Sequence, residues 1–353
     1  MLFSAKSKGY FVEQNDNVIR LARTSAPAAP FVVEEVRECI PDNAAALTAA
    51  ITQLLPRKSS SGYLHASCGV YPPRRFLRRV TLDPKRLKGP GYFEEILTQQ
   101  LRVEPAKFVT MVLNAQDGTD FDASKGATQK EVLFGGLPSE EIIATQDALL
   151  AKGVYPERLE YGSISTLGGL VNYLSFIKSK TPTLVLEIGL DATNTFIVGS
   201  AGVEATRPIP QGLESMIPVV QKELGLKDEE SARKLFYSNT FDFTGMGPLL
   251  IRKLLKELQS SIGFYEVQTG QSVGLLLSTM LPTKLDWLDS TIAKELGISP
   301  LKLDSEPWLG SYGITVAEAA KPVLNAHWFG LLALMARYET ATPVAHVVVA
   351  EKV

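Results

Sequence analysis

Leu184-Val185-Leu186-Glu187-Ile188-Gly189-Leu190-Asp191-Ala192-Thr193-Asn194-Thr195-Phe196-Ile197-Val198 is the stretch whose reading decides the fold. Apolar residues fill 184–188, a glycine turn follows, and Thr195 and Ile197 then alternate with Phe196 and Val198 as a second strand. The spacing predicts a hairpin with an acidic residue, Glu187, at the end of its first strand. A carboxylate there is one way to hold a phosphate-bound metal ion. Gly189 permits close backbone approach and Thr193 offers a hydroxyl. Taken alone, the motif also suits an ordinary hairpin.

Composition limits the choices. With 353 residues, 45% hydrophobic and 21% charged, the chain is long enough for two or three folding units with a stable core. A formal net charge of −2 speaks against nucleic acid and against general attraction to acidic membranes. Cys39 and Cys68 are far apart and form no metal or redox motif. A reducing compartment is the simple reading, with a single disulfide as the alternative. His65, His327 and His346 form no metal-ligand spacing. The N-terminal residues lack a signal-like apolar core, and the longest apolar run, 328–336, falls short of the ~20 residues that span a bilayer. The expectation is a cytoplasmic protein with no direct membrane span, held at a membrane only through a partner.

Outward from the hairpin, the chain repeats one plan. Near the start, 10–12 and 18–22 read as strands joined by the connector Glu13 to Asn17, with 31–33 as a third strand. Asp42 or Asn43 caps a helix bearing Leu47, Ile51 and Leu54, which Pro56 stops. Another strand follows at 63–70. Residues 78–153 read as strand, helix, two strands and helix, a small α+β block of their own. A helix at 167–177 leads into the Glu187 hairpin, after which 203–208 reads as strand and 212–224 as a helix that Pro218 threatens to kink. Helices at 249–267, 285–296 and 328–337 and a strand at 273–277 complete the second half. This duplication of hairpin, third strand and helix predicts an α/β protein with two related halves.

At this point four motifs in order resemble the PilM family, the actin-like proteins of type IV pilus assembly, which are related to the cell-division protein FtsA. They are Glu187-Ile188-Gly189-x-x-x-Thr193, Arg207-Pro208-Ile209-Pro210-Gln211-Gly212, the helix Glu257 to Tyr265, and the closing Phe329 to Arg337. The resemblance implies an actin-like ATPase fold of two ribonuclease-H-like halves with an inserted α+β subdomain of the FtsA/PilM type. It places the first subdomain at 1–77, continued at 154–180 and 320–353, the insert at 78–153 and the second half at 181–319. It also implies a cytoplasmic scaffold, peripheral to the inner membrane, that grips the short N-terminal peptide of a PilN-like inner-membrane partner. Self-association is a further expectation from such relatives.

Departures from the family pattern bear on the nucleotide. The first phosphate hairpin aligns with Glu13-Gln14-Asn15, so its glycine is missing, and Asn15 must take the turn. The family's adenosine-binding glycines correspond to Met280-Leu281-Pro282, and its Ala-Glu-x-x-Lys falls on Ser231-Ala232-x-x-Leu235. Residues Glu13, Asn15, Glu187, Gly189, Thr193, Met280 and Leu281 thus read as a vestigial nucleotide site. No catalytic residue is assigned. The expectation is a pseudo-ATPase without cofactor; the alternative is an ATP-binding, possibly polymerising protein, with Glu13 and Glu187 holding Mg²⁺. No catalytic Asp of a sugar-kinase kind is recognisable.

Three other features draw attention. Arg74-Arg75-Phe76-Leu77-Arg78-Arg79, with Lys85, Arg86 and Lys88, is the one basic cluster. It reads as a solvated strand edge, or as a contact for an acidic lipid or peptide. Phe264, Tyr265, Trp287, Trp308, Trp328 and Phe329 read as core or subdomain interface. The apolar segment 343–350 reads as an added strand or docking segment.

Overall fold

The computed structural model describes residues 7–41, 43–55, 62–116, 118–123, 130–238 and 240–337. The chain opens with an antiparallel meander of β1 (Gly9–Gln14), β2 (Ile19–Thr24) and β3 (Phe31–Cys39), then α1 (Ala44–Leu54) and β4 (Leu64–Val70). The Asn43 side chain accepts the Ala46 N–H at 3.0 Å and so caps α1. Next come β5 (Phe76–Thr81), α2 (Tyr92–Glu95) running into a π turn at Ile96–Gln100, β6 (Phe108–Asn114), β7 (Glu131–Pro138) and α3 (Ser139–Ala151). The chain then returns through β8 (Val154–Tyr161) and α4 (Gly162–Phe176).

The second half holds the quoted hairpin, β9 (Thr183–Ile188) and β10 (Thr193–Gly199), and the third strand β11 (Gly202–Ile209). It continues with α5 (Ile217–Leu224), α6 (Glu229–Phe236), α7 (Gly247–Leu250), α8 (Arg252–Thr269), β12 (Leu275–Thr279), α9 (Trp287–Leu296) and β13 (Ser299–Pro300). Then follow α10 (Ser305–Ser311), β14 (Ile314–Val316) and α11 (Phe329–Arg337).

Three sheets organise these elements: β14-β3-β2-β1-β4-β8, β11-β10-β9-β12-β13, and β5-β7-β6. The first two share one construction. In each, a meander of three antiparallel strands places its first strand beside a parallel one, β1 on β4 and β9 on β12, and a further parallel strand follows. This duplicated α/β plan is what the sequence predicts. The near-continuous apolar run of the first strand matches burial on both faces, since every residue of β9 is buried. Helices α4 and α11 lie on the first sheet, and an added Cβ at Gly169 would stand 2.5 Å from the Ala333 Cβ, so the two helices cross in close contact.

Several expectations change. Glu13 and Gln14 belong to β1 and pair with Arg20 and Ile19, rather than lying in a connector. The third sheet begins at Phe76 instead of 78. The chain rejoins the first half before residue 320, because Trp308 and Leu309 of α10 pack in its core and β14 pairs in parallel with β3. Strand β8 went unread, since Pro156 interrupts its pattern; as the edge strand of the first sheet it tolerates a residue without an N–H. Pro218 produces no kink, because a 3-10 turn at Leu213–Met216 comes first and the proline falls in the opening turn of α5. Cys39 and Cys68 are free and buried. Asp42, Pro56, His346 and the segment 343–350 lie outside the described residues. Among the described residues, no helix is long and apolar enough to cross a membrane.

Candidate functional site

The two halves face each other across a cleft into which the ends of β1, β9 and β12 point. Glu13 on β1 and Glu187 on β9 are each 1% exposed. Two such carboxylates need counterions, since isolating a charge in a protein interior costs several kcal/mol. Two arginines supply them. Arg20, opposite Glu13 on β2 and also 1% exposed, donates from Nη1 to Glu13 Oε2 at 3.0 Å and from Nε to Glu38 Oε2 at 3.1 Å. Its Nη2 donates across the cleft to the Leu281 carbonyl at 2.7 Å. Arg75, in the connector from β4 to β5, donates from Nη2 to Glu187 Oε2 at 2.8 Å. Burial works against the charge of both guanidiniums, but the neighbouring glutamates outweigh it and hold them above their ordinary pKa.

Each residue that the sequence assigns to phosphate binding makes at least one hydrogen bond within the chain. The Glu13 Oε1 oxygen accepts from the Tyr71 hydroxyl at 3.3 Å. Asn15 does not take a left-handed turn; its Oδ1 accepts the backbone N–H groups of Asn17 and Val18 at 2.9 and 3.0 Å. The Gly189 N–H donates to Ala192 at 2.9 Å, and the Thr193 hydroxyl donates to the Gln211 carbonyl at 2.7 Å. Glu187 Oε1 and Asn15 Nδ2 are buried without a hydrogen-bond partner among the described residues.

On the far wall, Met280 is fully buried and has φ of +68°. It takes the left-handed backbone that favours glycine, while its Sδ lies 3.2 Å from Arg75 Nη2. The Met280 carbonyl accepts from Asn17 Nδ2 at 3.0 Å, and the same amide donates to the Ile188 carbonyl at 2.9 Å. Leu281 is 3% exposed, and Ala232 and Leu235 pack into the second-half core. The sequence thus reaches the right strand ends, but it misses Arg20, Arg75, Asn17 and Tyr71. The one signal available was an arginine amid the apolar residues of β2.

A second tie closes the cleft at its rim. His327 Nε2 lies 2.7 Å from Glu38 Oε2 on the first half, and Nδ1 lies 3.1 Å from Asp286 Oδ1 on the second. Thr283 donates to Glu38 Oε1 at 2.8 Å. Arg20 Nη2 also lies 3.0 Å from Nε2, but carboxylates at both ring nitrogens favour the charged imidazole. Its pKa rises although burial and Arg20 oppose this. Burial likewise works to raise the Glu38 carboxyl, but His327, Arg20 and Thr283 hold it at about 2. Among the described residues, no group of three or more His, Cys, Asp or Glu stands ready to hold a metal.

By contrast, a groove of about 320 Å³ lies open between the first half and the insert. One wall is the tip of the β1–β2 hairpin with Tyr71, Pro72 and Pro73; the other is α3, with Glu141, Ala144 and Ala148. The arginines of the basic cluster beside it are largely engaged, while Lys85 and Lys88 are exposed. Arg74 pairs with Glu140 and Glu141 of α3, Arg75 is buried, Arg86 pairs with Glu95, and the Arg79 N–H donates to Thr206 Oγ1 at 3.0 Å on β11. Of the conspicuous aromatic residues, Tyr265, Trp308, Trp328 and Phe329 are buried and Phe264 is exposed.

No known family model matches the sequence, and no curated protein matches it by sequence. In fold, the chain is similar to the solved PilM-PilN type IV pilus biogenesis complex. The TM-score is 0.65 at 18% identity, covering 96% of this chain and 100% of that one. Weaker likenesses include ethanolamine utilization protein EutJ from Carboxydothermus hydrogenoformans, with TM-score 0.45, 9% identity and coverage of 93% and 90%. The cytoplasmic domain of EpsL, an inner membrane component of the type II secretion system of Vibrio cholerae, gives 0.38 at 10% identity, covering 95% and 96%. The chain has the actin-like fold, in the form that the first of these takes.

Proposed function

We propose that this chain is a PilM-type scaffold that does not turn over ATP. It works in the cytoplasm as part of a type IV pilus or type II secretion-like assembly and holds the N-terminal peptide of a PilN-like inner-membrane protein. The actin-like fold implies Mg²⁺ and ATP in the cleft, and the residues present do not fit them. The observation that carries this reading is the neutralisation of Glu13 and Glu187 by Arg20 and Arg75 of the same chain. Each carboxylate already carries a buried guanidinium as its counterion, which leaves little net charge to attract a metal ion, and the Met280 side chain fills the space that a glycine leaves for a nucleoside.

The open groove beside the insert is the natural seat for the partner peptide. Its apolar prolines and alanines suit an apolar anchor, and the walls come from two elements that can clasp an extended segment. Isothermal titration with ATP and Mg²⁺ tests the first half of the reading. No binding is expected up to millimolar nucleotide, and a dissociation constant in the low micromolar range overturns it. Co-purification with the PilN-like protein, lost when residues 80–152 are replaced by a short linker, tests the second half.

A further inference from the structure

We infer that Arg75 is a positioning residue that makes affinity in the groove depend on a contact across the cleft. The inference rests on the groove as the peptide's seat and adds how that seat is regulated. Arg74 and Arg75 are consecutive, and their side chains leave the backbone in opposite directions. Arg74 ties to α3, the far wall of the groove, through Glu140 and Glu141, and its backbone N–H donates to Glu141 Oε2 at 3.1 Å. Arg75 turns inward. Its Nη1 donates to the carbonyls of Tyr71 and Pro72 at 3.4 and 3.2 Å, which belong to the near wall. Its backbone N–H also donates to Pro72 at 3.2 Å, and the guanidinium lies 5.4 Å from the Tyr71 ring centre.

The same guanidinium reaches Glu187 of the second half. One planar group therefore fixes the near wall of the groove and bridges the two halves. A shift of Glu187 relative to the first half moves Arg75, and with it the carbonyls that set the wall. The Tyr71 hydroxyl extends the tie to Thr166 at 2.8 Å and to Glu13, so the wall has no independent freedom to adjust. Two sites sharing one element must influence each other reciprocally. A peptide that selects the present wall also strengthens the bridge, and a broken bridge loosens the peptide.

The probe is a synthetic peptide copying the N-terminal cytoplasmic residues of the PilN-like partner proposed above. In the unaltered protein, saturating peptide should slow amide exchange at Met280 to Thr283, on the second-half side of the cleft and outside the groove. Unchanged exchange there overturns the inference without any variant. The double variant Arg75→Met/Glu187→Met removes the pair while keeping the space filled. It should bind the peptide about tenfold more weakly and lose the exchange effect. A folded double variant that binds as tightly as the unaltered protein also overturns the inference. Arg75→Lys, which keeps the charge but not the fork to both carbonyls, should fall between the two. Ala144→Arg fills the groove from the other wall. If it binds undiminished, the groove itself is wrong and the inference falls with it; if it alone weakens binding, the groove stands and only the bridge is wrong.

Discussion

Two junctions in this protein are built from similar parts and differ in what fills them. Between the halves, Glu13, Arg20, Arg75 and Glu187 are almost wholly buried and exchange charge-assisted hydrogen bonds. Between the first half and the insert, exposed Arg74 pairs with Glu140 and Glu141 at the rim and about 320 Å³ stays open. In the cleft, each charge removed strands another in a water-poor site. At the groove, solvent takes over whatever a side chain gives up. The cleft is therefore where sequence changes should be costly, and the groove is where they should be tolerated.

The largest effect tests that contrast at its centre. Arg75→Ala leaves Glu187 buried and unpaired and should cost about 3–5 kcal/mol in denaturant unfolding, as should Glu187→Ala. Arg75→Met/Glu187→Met should recover most of that loss, because replacing a buried pair by apolar side chains of similar volume is close to neutral. An Arg75→Ala variant as stable as the parent would mean that the cleft is wet and the contrast false. Next, Arg20→Lys keeps a cation but cannot reach Glu13, Glu38 and Leu281 together. A loss of about 1–3 kcal/mol is expected from the same measurement.

The rim clasp should then give the protein a pH profile. His327 is raised above its ordinary 6.5, so its contribution is fully present below that value and fades as pH rises through the folded pKa. Glu38 is lowered from 4.5 to about 2, so its contribution is present above 4.5 and is lost on acidification towards 2. Burial pushes the nearby Asp289 carboxyl up to about 6, so its contribution is present below its ordinary 3.8 and is lost between there and about 6. Asp286, Glu38, Arg20 and Asp289 are the charged groups around the ring. Stability measured by urea midpoint should be greatest near pH 4.5, and His327→Gln should flatten the limb above pH 6.5. Smallest of all, Arg74→Ala should leave the midpoint where it is, since that pair is solvated; a clear drop would show the groove rim to be as rigid as the cleft.

The strand ends of the cleft were legible because a hairpin announces itself over fifteen consecutive residues. Glu187, Gly189 and Thr193 follow from local alternation and a turn. What fills the cleft was not legible. Arg75 lies 112 residues from Glu187, inside a run of basic residues whose plain reading is a solvated edge. Nothing local separates the inward Arg75 from the outward Arg74. Arg20 was closer to hand, since hairpin register sets it opposite Glu13, but that register needs β1 to run through Glu13 and Gln14. Strand β8 and the early return at β14 failed for a related reason. An edge strand with a proline, and a strand of three residues, carry little periodic signal.

The buried guanidiniums have one more consequence. A nucleotide comes and goes, and the fraction of protein that holds one follows the cell's supply. A counterion attached to the chain by its own side chain cannot be diluted, competed away or hydrolysed. On the reading proposed above, Arg20 and Arg75 give this protein an occupancy that is an inherited constant. Its readiness for a partner is then set at the moment of folding and does not vary with the energy state of the cell.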